Sequence, residues 1–215
     1  MNGVSYVALF IQGTAVTFAS WIVAGSISLL LGVLFGTAGC RYLASRPTMF
    51  MIKIYTFIAK GIPAYVQILI AYFVLPSLFG INISGFVAAS IALAFCSSGY
   101  MTEIFRSGMN AVPSGQWDAC AVLGYPFAAT MRRIILPQTI QNVFPAIVGE
   151  LEQLLKSTSL LAAIGVTELT RTGMNVISRE LNPIQIYVTI AVIYLCLTAF
   201  LQLLTMFFSG RLKYD

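Results

Sequence analysis

Two long stretches of this chain carry no charged side chain: residues 1–40, and the run from Gly61 to Thr102. Roughly 20 consecutive apolar residues are enough to cross the hydrocarbon core of a bilayer as a helix. The second run is too long for one crossing, and Pro76 with Gly80-Ile-Asn-Ile-Ser-Gly85 breaks it with turn chemistry. A third charge-free run, near 184–208, ends at Arg211 and Lys213. Charged residues are 9% of the 215 and hydrophobic ones 59%, with a mean hydropathy of +0.89. Soluble domains carry about a quarter charged residues. These features predict an all-α integral membrane protein of one domain, residues 1–215, with no sizeable soluble lobe.

The spacing of turns and charges predicts five transmembrane helices, at roughly 14–38, 54–78, 86–106, 138–164 and 184–208. Lys60-Gly-Ile-Pro63 can snorkel or kink near the start of the second. The fourth passes through Pro145 and is the least hydrophobic, and residues 165–183 form a polar connection to the fifth. In the first, Gly32-x-x-x-Gly36 is a spacing that lets another helix approach closely, although membrane helices tolerate glycine in general. A cleaved signal peptide calls for a basic segment ahead of its apolar core, and none is present. No internal repeat or low-complexity segment stands out.

Charge bias sets the expected orientation. With the N-terminus outside, Arg41, Arg46, Lys53, Lys60, Arg106, Arg132, Arg133, Arg211 and Lys213 fall on the inner side, and only Arg171 and Arg179 outside. The C-terminus is then inside. The net charge of +5 is explained by topology rather than by nucleic acid, because the basic residues cluster at span ends. The polar loop at about 107–137 becomes cytoplasmic. Within it a short helix at 115–124, fenced by Gly115 and Pro126, has an apolar side made by Trp117, Cys120 and Ala121.

Several chemistries are excluded. The four cysteines are far apart and form no CxxC pair, so neither a metal site nor a disulfide framework is signalled. There is no histidine, hence no serine–histidine nucleophile. No G-x-x-x-x-G-K-[ST] loop is present to hold ATP in the usual way.

Candidate binding residues lie in the third and fourth spans. Gly149-Glu-Leu-Glu-Gln-Leu-Leu-Lys156-Ser-Thr-Ser159 puts three charges inside the membrane, each costing on the order of 3 kcal/mol before pairing. Such residues usually face a protein interior or an aqueous path. Glu152 and Lys156 are spaced to pair on one face, or they belong to the site. Glu150 lies ~200° around the helix from Glu152 at ~100° per residue. It shares a face with Leu154 and Ser157. Ser97-Ser98-Gly-Tyr100 makes a narrow polar patch that could line a path opposite the fourth span, although membrane serines often bond only to their own backbone.

Asp118-Ala119-Cys120, three residues, Gly124, nine residues and Ile134-x-Leu-Pro137 resemble the E-A-A-x3-G-x9-I-x-L-P loop of ATP-binding-cassette (ABC) importer permeases. The departures are Asp118 for glutamate and Cys120 for alanine. Further segments resemble the polar amino acid subfamily: Gln12-Gly13-x-x-x-Thr17, Lys60-Gly-Ile-Pro63 with Gln67, and Ser98 to Arg106. So do Val112 to Trp117, Lys156 to Leu160, and Ile164-Gly-Val-x-Glu-Leu-Thr170. The resemblance covers nearly the whole chain. Lys60, Ile62, Glu152 and Ser157 depart from the residues usual there.

The resemblance implies a non-hydrolytic permease subunit of a bacterial cytoplasmic membrane, paired with itself or a close relative. It implies two cytoplasmic ATPase subunits that hold ATP and magnesium, and an extracytoplasmic amino-acid-binding protein; the chain itself needs no cofactor or metal. The helix between the third and fourth spans is then a coupling helix. It would insert its Trp117/Ala121 side into an ATPase groove, with Asp118, Ala119 and Gly124 in the same element. The expected substrate residues are Ser97, Ser98, Glu150, Ser157, Thr158 and Ser159, suited to a basic amino acid or glutamine moved by alternating access. A self-contained ion-coupled transporter or channel using Glu150, Glu152 and Lys156 is the competing reading.

Overall fold

Helix α1 (Gly3–Ala38) lies along α5 (Gly85–Ala111), and this is the most extensive helix pairing in the molecule. The seam is steric. A Cβ added at Gly32 would sit 2.3 Å from Met101 Cβ, and one at Gly36 would sit 2.6 Å from Phe105 Cβ. The Gly32-x-x-x-Gly36 step is thus a close-approach surface and not glycine that the membrane merely tolerates. Ser20 and Ser90 share a hydrogen bond of 3.2 Å in the same interface, and Trp21 Nε1 donates to Leu151 O of α8 at 2.8 Å.

The structure, a computed structural model, describes residues 3–212; Lys213 of the predicted inner charge set lies outside the described residues. The chain is helical throughout, with α2 (Arg46–Gly61), α3 (Ala64–Leu69), α4 (Leu75–Phe79), α6 (Ser114–Val122), α7 (Phe127–Thr130), α8 (Leu136–Ser157), α9 (Leu169–Glu180) and α10 (Pro183–Leu212). Among the described residues, three helices are long and apolar enough to cross a membrane: Tyr6–Ala38, Gly85–Ala111 and Pro183–Phe207. The pair Arg46–Gly61 and Ala64–Phe79 makes a fourth if counted as one span. Helix α8 has the length, at 22 residues, but Glu150, Glu152, Lys156 and four amide side chains make it more polar than the others.

The predicted second helix, 54–78, is not one rod. Its two halves meet at 94°. Pro63 disfavours helical backbone at the residue before it, and Ile62 is extended, at φ −96° and ψ 128°. The carbonyls freed at the corner are satisfied locally, because Gln67 Nε2 donates to Ala59 O and Ile62 O, both at 2.8 Å. Lys60 therefore stands at the corner itself, where the sequence allowed a snorkel or a kink. Its stem packs on Gly99, halfway along α5, where an added Cβ would meet Lys60 Cγ at 3.1 Å.

The polar connection 165–183 contains a helix that hydropathy did not anticipate. Glu168 caps α9, accepting from Thr170 N at 2.8 Å and Arg171 N at 2.7 Å. This carboxylate is fully buried. It also accepts from Tyr194 OH of α10 at 3.2 Å and from Thr17 Oγ1 of α1 at 3.5 Å, while Thr17 accepts from Leu169 N at 3.1 Å. One buried side chain thereby gathers α1, α9 and α10, which answers the cost of burying its charge.

Candidate functional site

The corner between α2 and α3 opens on a cavity of about 390 Å³ that α5 and α8 complete. Helix α8 presents Glu150, Leu154 and Ser157 to it, the face expected from a ~100° step. Across the cavity, Ser97 Oγ of α5 donates to Glu150 Oε1 at 2.7 Å. Lys60, Tyr100 and Gln153 contribute further polar wall, with the Lys60 amine 5.8 Å from the Tyr100 ring centroid.

Of the six expected substrate residues, the fold brings Ser97, Glu150 and Ser157 together at this cavity and directs the other three elsewhere. Ser98 is fully buried, bonded to Phe95 O at 2.6 Å and to the Tyr55 hydroxyl. Adjacent helical positions point ~100° apart, and that step carries Ser98 off the cavity to the α2 side of α5, against Tyr55. Thr158 is fully buried and donates to Leu155 O at 2.6 Å. Ser159 donates to Lys156 O at 2.8 Å and does not line the cavity. Both follow the change from α-helix to a tighter 3₁₀ turn at Thr158–Ile164, which shifts the face beyond Ser157. Tyr100, named with Ser97 in the polar patch, does line the cavity, whereas Lys60 and Gln153 were missed as lining residues; the α2–α3 corner that exposes Lys60 leaves no mark in hydropathy.

Glu152 and Lys156 do not pair. Among the described residues the ion pair is Arg106–Glu103, and Glu152 instead accepts from Gln202 of α10 at 3.4 Å. The spacing was favourable, but Glu152 lies on the α10 side of α8.

At the other end of the molecule, α6 ends in a tight reversal. Gly124 N donates to Ala121 O at 3.1 Å and Tyr125 N to Cys120 O at 2.9 Å, the paired bonds of a Schellman cap. Gly124 has φ +68°, a conformation costing a side-chain-bearing residue about 1–2 kcal/mol. Trp117 does not face outward with Ala121. It is stacked on Tyr42 of the α1–α2 loop, at 4.7 Å and 21°, over a buried cluster of Cys40, Met109, Val112, Met131 and Ile135. Cys120 is buried as well, whereas Asp118, Ala119 and Ala121 are exposed. The outward apolar surface consists of Val122, 88% exposed, and Leu123, 73% exposed, with Phe127 beside them. The sequence reading passed over these three because Trp117 was the larger apolar side chain.

A polar cavity at a helix break inside a bundle of apolar helices is the architecture of a membrane transport subunit. Residues 28–214 match the family model described as binding-protein-dependent transport system inner membrane component, and the chain belongs to that family. It is therefore a multi-pass component of the bacterial inner membrane and the permease subunit of an ABC importer. It is 32% identical over 207 residues to the arginine transport system permease protein ArtQ of Bacillus subtilis, covering 96% of this chain and 94% of that one. The putative glutamine transport system permease protein GlnP of Rickettsia felis is 34% identical over 165 residues, 77% of this chain and 75% of the relative. A crystal structure of an amino acid ABC transporter with histidines matches 97% of this chain and 96% of its own at a TM-score of 0.86 and 34% identity. The MetNI methionine ABC transporter in an inward-facing conformation shares the fold at a TM-score of 0.85 and 16% identity.

Proposed function

We propose that this subunit moves a polar amino acid, basic or glutamine, through the cavity between α5, α8 and the α2–α3 corner by alternating access. The observation that carries the reading is the Glu150–Ser97 pair at 2.7 Å inside that cavity. A carboxylate fixed by a hydroxyl on one oxygen keeps acceptor capacity on the other for an ammonium or guanidinium group. Discontinuous helices are where transporters build substrate sites, because the loosened backbone lines a cavity. The relatives named for arginine, glutamine and histidine support the substrate class.

In the same proposal five segments cross the membrane: α1, the bent α2–α4 pair, α5, α8 with its 3₁₀ extension, and α10. The N-terminus is outside and the C-terminus inside, supported by Arg41, Arg46, Lys53, Arg106, Arg132 and Arg133 on one side against Arg171 and Arg179 on the other. Two ATPase subunits dock on the α6 loops of a permease pair, helix in groove, through the exposed face of Asp118, Ala119, Ala121, Val122 and Leu123. An extracytoplasmic binding protein delivers the amino acid. Gly124 gives α6 a sharp end, so that closure of the ATPases rocks it as a lever. Glu150→Ala is expected to lower ATP-driven uptake of the reconstituted complex on the order of 100-fold while leaving co-purification with the ATPase intact. Wild-type uptake in that variant would remove Glu150 from the site.

A further inference from the structure

The cavity contains a second charge that the substrate reading above leaves without a role. Lys60 lies in the last turn of α2, and its stem passes over Gly99, where even a methyl group would crowd it at 3.1 Å. Its amine stands over the ring of Tyr100, itself a lining residue, at 5.8 Å from the centroid. Glu150 lines the same cavity from α8, yet the two make no ion pair; the ion pair among the described residues is Arg106–Glu103. An amine and a carboxylate thus face one space in the membrane without neutralising each other. Such an arrangement is expensive unless water or a ligand completes it.

We propose that Lys60 is the carboxylate receptor of the cavity, so that a zwitterionic ligand is held with its carboxylate on Lys60 and its cationic group on Glu150. The assignment rests on reading the cavity as an amino-acid site. Three features favour it over a lysine that merely snorkels. The stem is laid on Gly99 at the middle of α5 and the amine lines the cavity over Tyr100, whereas a snorkelling lysine carries its amine out to a membrane surface. The ring face of Tyr100 attracts the cation without consuming a hydrogen-bond donor, which leaves the ammonium N–H groups for a ligand. The ammonium is also a compact charge with rotatable donors, able to follow a carboxylate whose orientation changes as the cavity switches access. Because every amino acid has the α-carboxylate, Lys60 does not choose the side chain. It rejects amines that lack the acid.

The test is a titration of the permease–ATPase complex purified in detergent without the extracytoplasmic binding protein, so that the permease's own selectivity is read. The probes are arginine, lysine, histidine and glutamine, each paired with its decarboxylated amine: agmatine, cadaverine, histamine and 4-aminobutanamide. For the amino acid that binds, the wild-type complex should favour the acid over the amine by at least about tenfold, the scale of one charge-assisted hydrogen bond. Lys60→Met should collapse that ratio to near one by weakening the acid alone, and Lys60→Arg should restore most of it. A Lys60→Met complex that keeps the wild-type ratio overturns the assignment. So does a wild-type complex that does not distinguish acid from amine, a result that needs no variant to assemble. Failure of all four amino acids and their amines to bind overturns the amino-acid reading itself, and the Lys60 assignment with it.

Discussion

The cavity and the α6 loop invert their surroundings in opposite senses. The helices around the cavity are largely apolar, and Glu150, Ser97 and Lys60 face one space there, with Tyr100, Gln153 and Ser157. Around α6 the loop is polar, and the exceptions, Val122, Leu123 and Phe127, point outward. A membrane segment hides its polar groups because lipid offers them no partner, and a water-facing loop hides its apolar ones because burial is favourable. At both places the groups that break the rule of their own solvent stand where another molecule would complete them. The inward exceptions fit a small polar solute; the outward ones fit a protein groove.

That contrast can be broken most decisively at α6. Val122→Asp combined with Leu123→Asp should abolish co-purification of the ATPase, while amino-acid titration of the isolated permease stays within about twofold of wild type. Retained ATPase association would mean that the outward patch is ordinary exposed surface. In the cavity, Ser97→Ala leaves Glu150 in place but removes the donor at 2.7 Å. Loss of a hydrogen bond to a charged group costs about 1.5–3 kcal/mol at most sites, so affinity should fall on the order of tenfold with ATPase docking unchanged. The smallest expected effect belongs to Glu152→Gln. It faces Gln202 and not the cavity, so uptake should stay within about twofold of wild type; a larger loss would return Glu152 to the transport path.

The spacing of the α6 loop and the face of Glu150 were legible in the sequence, because both depend on a helical repeat of fixed angle. Ser97 was legible as half of a pair, but its separation from Ser98 required knowing which way α5 is rotated against α8. The direction of Trp117 was not legible: its partner Tyr42 lies on a distant loop, and apolar size says nothing about whether a ring stacks on its own chain or on another. The corner after Gly61 was named in the sequence as a kink, yet its 94° amplitude came from Pro63 acting together with the Gln67 amide. Hydropathy averages over that corner. The burial of Glu168 escaped for the same reason, since a polar connection reads as solvated until Thr17 and Tyr194 are seen closing over it.

The Gln67 amide also fixes what kind of object the corner is. A straight helix would give Ile62 O the Val66 N–H, but it could give Ala59 O nothing, because Pro63 carries no N–H. The Gln67 amide stands in for that missing donor. One side chain thus splices two helix ends at the corner that borders the cavity.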